Sequence, residues 1–535
     1  MPGESRSRLA ARGTSVTRRI RAAVLRAARE IILASGNIEE SGGNAPAPAG
    51  GEALLRTVVA RRFWWCFAAV LALMAWNAFW RIDQTRVRDC DEARYGVAAS
   101  EMLHGHSPLV TTYAGETEYW NLKPPLGYWL LELSFWLVGE TPFGLRLPAA
   151  LCALAAAGLT MLAARRTAGP HLAILAGIVL ATSFGFLGHH GARSGELDAP
   201  LALLLLVFLV LAPWLVDSRP ARLAAGLVLA LGFLLKSFAI LPFVAAVGVY
   251  CLITRGIASW RAWPLPLGIA AVTAMTWAVA RSVAENSGEF VRRMFVEDLL
   301  LRSTSVIDPG ASNGLWDYVG ALFDRLAPWP LLVVVATCVS VGFARRRLAS
   351  DFATLLWCFA LIPLVVFTLA QTHHSHYIIP TYPAWAILAA AGALEVMSWA
   401  KRTGFAVTAA VLITAGMFAC EARLVAQVLI HDAMPPSQVF LASLRSRRSG
   451  TTQNLRTAFV PSYSERFFLQ VVDGFTLDDS TAGSEDSERL AAVGDTLLVR
   501  RRDMNATFAL LATPAAAAIA QQRRRPNSAT VWAGR

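Results

Sequence analysis

Between residues 88 and 129 the chain reads RDCDEARYGVAASEMLHGHSPLVTTYAGETEYWNLKPPLGYW, its most charge-dense stretch between two long apolar runs. Paired acids, arginines and a lysine in front of two prolines lie close together there, a combination suited to holding an anion. The alanine-rich DEARYGVAASEML predicts a helix over 88–100. On it Arg88, Asp91, Arg94 and Tyr95 share one face, because neighbours three and four apart do. Glu92 then points roughly 100° away. Asp91 would be flanked by two guanidinium groups, which keep it ionised and attract anions to the patch. Lys123 precedes Pro124 and Pro125. A residue before proline is pushed out of the helical region, so its ammonium should be presented to a phosphate.

Other polar positions interrupt apolar surroundings further along. Asp198, in HHGARSGELDAPLALL, is either a helix cap before Pro200 or a group facing the same outer cavity as Asp91. His189, His190, Arg193 and Glu196 of that loop read as solvated. Lys236 is the only charge in LGFLLKSFAILPF and its neighbourhood. A lysine at a bilayer centre costs about 2.5–3.5 kcal/mol, so it must reach the interface or meet an anion. QTHHSHYIIPTYPAW places His373, His374, His376 and Tyr377 at the mouth of an apolar run. No HExxH and no helical i, i+4 histidine pair occurs, so contacts to a lipid phosphate or a sugar are expected rather than metal ligation. FVRRMFVEDLLLRSTS, with Arg292, Arg293, Glu297, Asp298 and Arg302, has the rhythm of a helix lying on the membrane surface.

The elements that must position these groups are membrane spans. The chain has 535 residues, 55% of them hydrophobic, 16% charged and 17 of them tryptophan, the composition of a polytopic membrane protein. Runs near the ~20 residues a bilayer requires lie at 63–80, 146–164, 171–187, 199–216, 223–235, 238–254, 263–280, 327–343, 352–369, 378–398 and 404–421. GYWLLELSFWLVG is shorter and is expected at the interface. Arg165, Arg166, Arg219, Arg222, Arg255, Arg261, Arg345 to Arg347, Lys401 and Arg402 fall in alternate loops and should hold those inside. Every unusual polar cluster then faces out.

The predicted fold is an all-α polytopic membrane protein of about 11–13 transmembrane helices with a small α/β C-terminal outer domain. Residues 1–60 form a basic, flexible inner segment, with a candidate amphipathic helix at 15–34. Residues 61–421 form the membrane domain, its first outer loop, 81–145, carrying the chemistry. Residues 422–535 form the outer domain, in which AFVPSYSERFFLQVVDGFTL and AAVGDTLLVRR read as strands. The net charge of +12 comes largely from inner loops and an arginine-rich tail at 523–525, so nucleic acid is not an expected partner. The seven cysteines show no disulfide or zinc spacing, and only Cys90 is clearly in an outer loop.

Taken in order, DEARY, LKPPLGYWL, LDAPL, GFLLKSFAILP and HYIIPTYPA resemble the ArnT-like branch of the polyprenyl-phosphate-dependent glycosyltransferases of the GT-C fold, related to protein O-mannosyltransferases. The resemblance covers roughly residues 60–400. Members typically show DETRY, EKPPLGYWL, a TDMPL-like aspartate, GFLTKGPVALVLP and HYLLPALPALAL. It implies a bacterial inner-membrane enzyme that takes a sugar from undecaprenyl phosphate at the periplasmic face, among membrane lipids. Asp91 matches the catalytic aspartate, Lys123 the KPP lysine near the donor phosphate, and Asp198 the second-loop aspartate. Lys236 matches the TKG lysine, and His376 with Tyr377 the HY pair. Leu122 stands where the glutamate before KPP is usual, His373 where a basic residue is usual, and Glu297 with Asp298 where an EH-type pair is usual. Leu122 puts a divalent cation of the family kind in question, and no metal ligand is assigned.

On this reading Arg94, Lys123 and Lys236 stabilise a leaving phosphate. Asp91 and Asp198 serve catalysis, with Asp91 as base, and the anomeric centre inverts. Glu92, Tyr95, His376 and Tyr377 contact substrate. The expected acceptor is an envelope glycolipid of the lipid A or lipopolysaccharide type, with a protein hydroxyl as the alternative. A lipid or sugar transporter and a non-catalytic scaffold are the competing classes, and no internal repeat of the transporter kind is visible.

Overall fold

The computed structural model describes residues 50–89, 91–105, 107–306, 312, 314–442, 454–457, 461–478, 497–500 and 508–511. Cys90, the candidate helix at 15–34 and the arginine-rich tail lie outside them. The chain divides into a unit Met1–Trp64 and a unit Trp65–Arg535. Its main helices are α1 (Gly50–Phe79), α2 (Asp91–Leu103), α3 (Leu126–Val138), α4 (Pro142–Ala168), α5 (Pro170–Ala181), α6 (Asp198–Leu211) and α7 (Arg219–Lys236). They continue with α8 (Leu241–Arg255), α9 (Pro264–Ala284), α10 (Asp317–Leu326), α11 (Trp329–Val339), α12 (Ser350–Leu369), α13 (Tyr382–Thr403) and α14 (Ala406–Ala426). The chain is a multi-pass helical membrane protein.

Among the described residues seven helical stretches are long and apolar enough to cross a membrane, and each of the eleven apolar runs falls on a helix. One of the seven, Arg219–Arg255, is 37 residues long. At 1.5 Å per residue it would extend about 55 Å, nearly twice a bilayer core. It folds back instead at Ser237, whose φ is 45°. Arg255 at the far end of α8 pairs with Asp217 before the start of α7 at 3.1 Å, so the run is a hairpin with Lys236 at its tip. Helices α10 and α11 meet at a bend of 107°. Local signals set the boundaries. Thr141 accepts from Gly144 N at 3.1 Å to cap α4, Pro142 fills its first position, and Gly169 with φ 85° ends it.

The loops expected on one side do gather at one end. Lys236 at the hairpin tip meets Asp198 at the start of α6, and Lys123 of the first loop meets Asp298 of the helical segment 289–304. Arg302 of that segment meets Tyr377, while Arg347, expected in an opposite loop, pairs with Glu395 at the far end of α13.

Two expectations are corrected here. The loop helix starts at Asp91 rather than Arg88, with Asp91 and Glu92 in its first turn, where the helix dipole favours acids. Residues 463–472 are helical rather than extended. Ser462 accepts from Glu465 N and the Glu465 carboxylate accepts from Ser462 N, a capping box that starts this helix. It buries Phe467, Phe468 and Leu469. Phe467 lies so close to α2 that a Cβ at Gly96 would stand 2.5 Å from its ring, which is why glycine fits there. Strands do occur nearby: β3 (Asn454–Thr457), β4 (Thr476–Asp478), β5 (Leu497–Arg500) and β6 (Phe508–Leu511) form a sheet in the order β4-β3-β5-β6. Its β3–β4 and β3–β5 pairs are parallel and its β5–β6 pair antiparallel. The first loop also carries a short hairpin, β1 (Thr112–Tyr113) with β2 (Glu116–Thr117).

Candidate active site

The site is built on the ends of α6, α7 and α13, the first loop and segment 289–304. Lys123 Nζ lies 2.7 Å from Asp298 Oδ2. Asp298 also receives Arg302 at 3.0 Å and Ser237 Oγ at 3.1 Å. Burial alone would push its carboxyl up, but Lys123 and Arg302 hold it below the usual carboxylate range. Next to Ser237, Lys236 Nζ sits 2.6 and 2.7 Å from the two oxygens of Asp198. Arg302 donates to Tyr377 Oη at 2.9 Å. Lys123, Lys236 and Arg302 thus bring three cationic groups together around the carboxylates of Asp198 and Asp298, with Asp91 nearby. Cationic groups gathered in this way can hold the single negative charge of a phosphodiester.

Ser237 stands where the family pattern has glycine after the lysine. A serine at positive φ costs of order 1–3 kcal/mol, and here its hydroxyl ties the hairpin tip to Asp298.

Asp91 opens α2 half-buried and makes no hydrogen bond or ion pair among the described residues, within electrostatic reach of Tyr95, Tyr128 and Asp198. The guanidinium groups expected on either side of it are engaged elsewhere. Arg88 pairs with Asp432 at 2.5 Å. Arg94, expected at the donor phosphate, is bound by Glu118 and caged by the rings of Tyr113, Trp120 and Tyr463 at 4.7, 4.5 and 4.6 Å. Caging of this kind fixes the loop and leaves little of the cation for a ligand.

Glu92, expected at the substrate, is enclosed instead. Arg146 donates to it at 2.6 Å, and the backbone N–H groups of Arg88 and Gly195 donate at 2.9 and 3.0 Å. Burial alone would raise its carboxyl, but Arg146 and those donors hold it below its ordinary value. Both side chains are 1% exposed, and breaking such a pair from one side costs about 3–5 kcal/mol. Arg146→Met should therefore unfold at markedly lower temperature, as followed by loss of the monodisperse peak on heating in detergent. Because the folded carboxyl is depressed, the Glu92 contribution is complete above the ordinary carboxylate range and is lost only as pH falls through the lower folded value. Tyr95 is likewise buried, its hydroxyl 3.5 Å from Asn121 Oδ1.

The loop groups read as solvated are also enclosed. Arg193 donates to the carbonyls of Asn77, Ala78 and Trp80 at the end of α1, at 2.7, 3.2 and 2.8 Å. Glu196 is 4% exposed and lies against His190. His190 stacks on His376 with ring centroids 3.8 Å apart. His376 also meets Tyr377 edge to face at 4.8 Å. His373, by contrast, is buried against Asp317 at 2.9 Å. Leu122 is 3% exposed and offers no ligand atom, so the metal site of the family kind is not assembled from these positions.

Sequence reasoning missed Asp298 and Arg302 as members of the site. Their i, i+4 spacing was a visible signal for a paired acid and base on one helix face.

Known proteins resemble this chain in sequence and in fold. The family model described as dolichyl-phosphate-mannose-protein mannosyltransferase matches residues 122–282. The undecaprenyl phosphate-alpha-4-amino-4-deoxy-L-arabinose arabinosyl transferase of Edwardsiella ictaluri is 28% identical over 315 residues, 56% of this chain and 54% of that protein. The like-named protein of Pseudomonas aeruginosa is 30% identical over 311 residues, 56% of this chain and 54% of its own length. The chain spans about half the length of the curated relatives it matches. The crystal structure of ArnT from Cupriavidus metallidurans bound to undecaprenyl phosphate superposes with a TM-score of 0.64 at 18% identity, over 85% of this chain and 94% of that one. The fold is ArnT-like.

Proposed function

We propose that this chain is a glycosyltransferase that moves a sugar from undecaprenyl phosphate to an envelope glycolipid of the lipid A type, at the periplasmic face of the inner membrane. The observation that carries the reading is the ring of Lys123, Lys236 and Arg302 around two buried carboxylates, with Asp91 beside it making no hydrogen bond or ion pair among the described residues. The names of the similar proteins and the polyprenyl phosphate bound to the structural neighbour support the same donor class.

In this reading the acceptor oxygen attacks the anomeric carbon from the face opposite the phosphate. A new carbon–oxygen bond forms as the bond to the phosphate oxygen breaks, so the anomeric configuration inverts. The acceptor proton passes to the Asp91 carboxylate. The electron pair of the broken bond stays on the leaving polyprenyl phosphate, whose negative charge grows, and the cations stabilise it more in the transition state than in the bound donor. Tyr377, held by Arg302, and His376 border the sugar.

Membranes from cells expressing the chain, supplied with an undecaprenyl-phosphate-linked sugar, should yield envelope lipids heavier by one sugar residue in mass spectrometry. Label found in protein instead would favour a protein hydroxyl as acceptor, the alternative suggested by the mannosyltransferase match. No sugar transferred to either would sink the reading.

A further inference from the structure

A second cluster lies beside the cation ring. His190 of the loop before α6, Asp198 at its start and His376 before α13 bring one ligand atom each to within 4.8 Å of one another. His189, His190 and Glu196 form an overlapping group of the same kind. The donors come from separate segments, so no spacing in the sequence announces them.

We propose that His190, His376 and Asp198 bind a divalent transition-metal ion of the zinc class, with Glu196 as the carboxylate that orients His190. The first argument is charge. Glu196 is buried, and among the described residues its close partners are His189 and His190 alone. A buried carboxylate is costly unless a cation or hydrogen-bond donors compensate it, and no lysine or arginine pairs with Glu196 among the described residues.

The second argument is geometry. Glu196 lies against His190 Nδ1, and Asp198 Oδ2 stands 3.8 Å from the same nitrogen. A carboxylate against a histidine ring fixes the orientation of that ring, as is common around metal-bound histidines. Ligand atoms 4.8 Å apart or less would close to about 3.4 Å around a tetrahedral ion with bonds of about 2.1 Å, a movement of roughly an ångström or less for each side chain. Two imidazoles and one carboxylate suit zinc and its neighbours better than magnesium or calcium, and they leave a coordination position open. Asp198 presents both oxygens to Lys236. An ion taking one of them loosens that pair and turns Lys236 further toward the donor phosphate. The site itself does not depend on the transfer reading.

The full chain, purified in detergent through a tag free of histidine and stripped with chelator, is titrated with Zn²⁺ and, separately, with Co²⁺. We expect about one zinc per chain by elemental mass spectrometry and a cobalt absorption band in the visible. Both should weaken at least about tenfold in His190→Ala and His376→Ala, and about 10–100-fold in Glu196→Gln, the range for outer carboxylates. His374→Ala, outside the ligand set, should bind as the wild type does. Should an alanine variant aggregate, His190→Gln and His376→Gln give the same readout. Substoichiometric zinc in the wild type, or equal affinity in the histidine variants, overturns the site and leaves a proton shared between His190 and Glu196.

Discussion

Asp91→Asn is expected to cut sugar transfer by about 10²–10⁴-fold, the contribution of a positioned general base, while leaving the protein folded. The second half of that expectation follows from its surroundings. Asp91 makes no hydrogen bond or ion pair among the described residues, so the amide removes a proton acceptor and strands no buried partner. The loss should fall on kcat, with the KM for the donor nearly unchanged, because Asp91 acts on the acceptor hydroxyl and not on the phosphate. Transfer by washed membranes, normalised to the amount of protein, checks it. Asp198→Asn should behave differently, because it leaves Lys236 without its counter-charge and alters donor binding as well. Undiminished transfer in Asp91→Asn would remove it as the base.

Lys123→Met carries the other large effect, a loss of about 10²–10³-fold, the scale for one electrostatic donor at a developing oxyanion. The pair with Asp298 offers a simpler explanation of the same loss, that Lys123 only neutralises a buried acid. The double variant Lys123→Met, Asp298→Asn separates the two. If Lys123 only balances Asp298, removing both charges restores transfer. If Lys123 holds the donor phosphate, the double variant stays as inactive as the single one, and the two effects are strongly non-additive. The readout is again transfer rate, alongside a check that both variants elute as the wild type does.

The spans were readable because a bilayer imposes length and apolarity on each of them, and all eleven runs fall on helices. The convergence of Lys123, Lys236 and Tyr377 at one end was readable from the alternation of basic loops. What could not be read was which polar groups spend their charge within the protein. Arg94 and Asp91 lie three residues apart, yet one is caged by Glu118 and three aromatic rings and the other is left open. That difference is set by Glu118 and Tyr463, far away in sequence. Glu92 is taken by Arg146, and His190 is brought against His376, by the same kind of long-range packing. The helix at 463–472 was missed for a local reason. Its aromatic content resembles a strand, and the capping box that starts it rests on two residues, Ser462 and Glu465.

Transfer from a lipid donor requires that the ring of Lys123, Lys236 and Arg302 hold a polyprenyl phosphate. Native mass spectrometry of the protein in lipid nanodiscs containing undecaprenyl phosphate tests it most directly. The account predicts one retained lipid per chain in the wild type and in Asp91→Asn, and retention weaker by about tenfold or more in Lys123→Met and Arg302→Met, as expected when a charge-assisted phosphate contact is removed. Equal retention in all four proteins would contradict it.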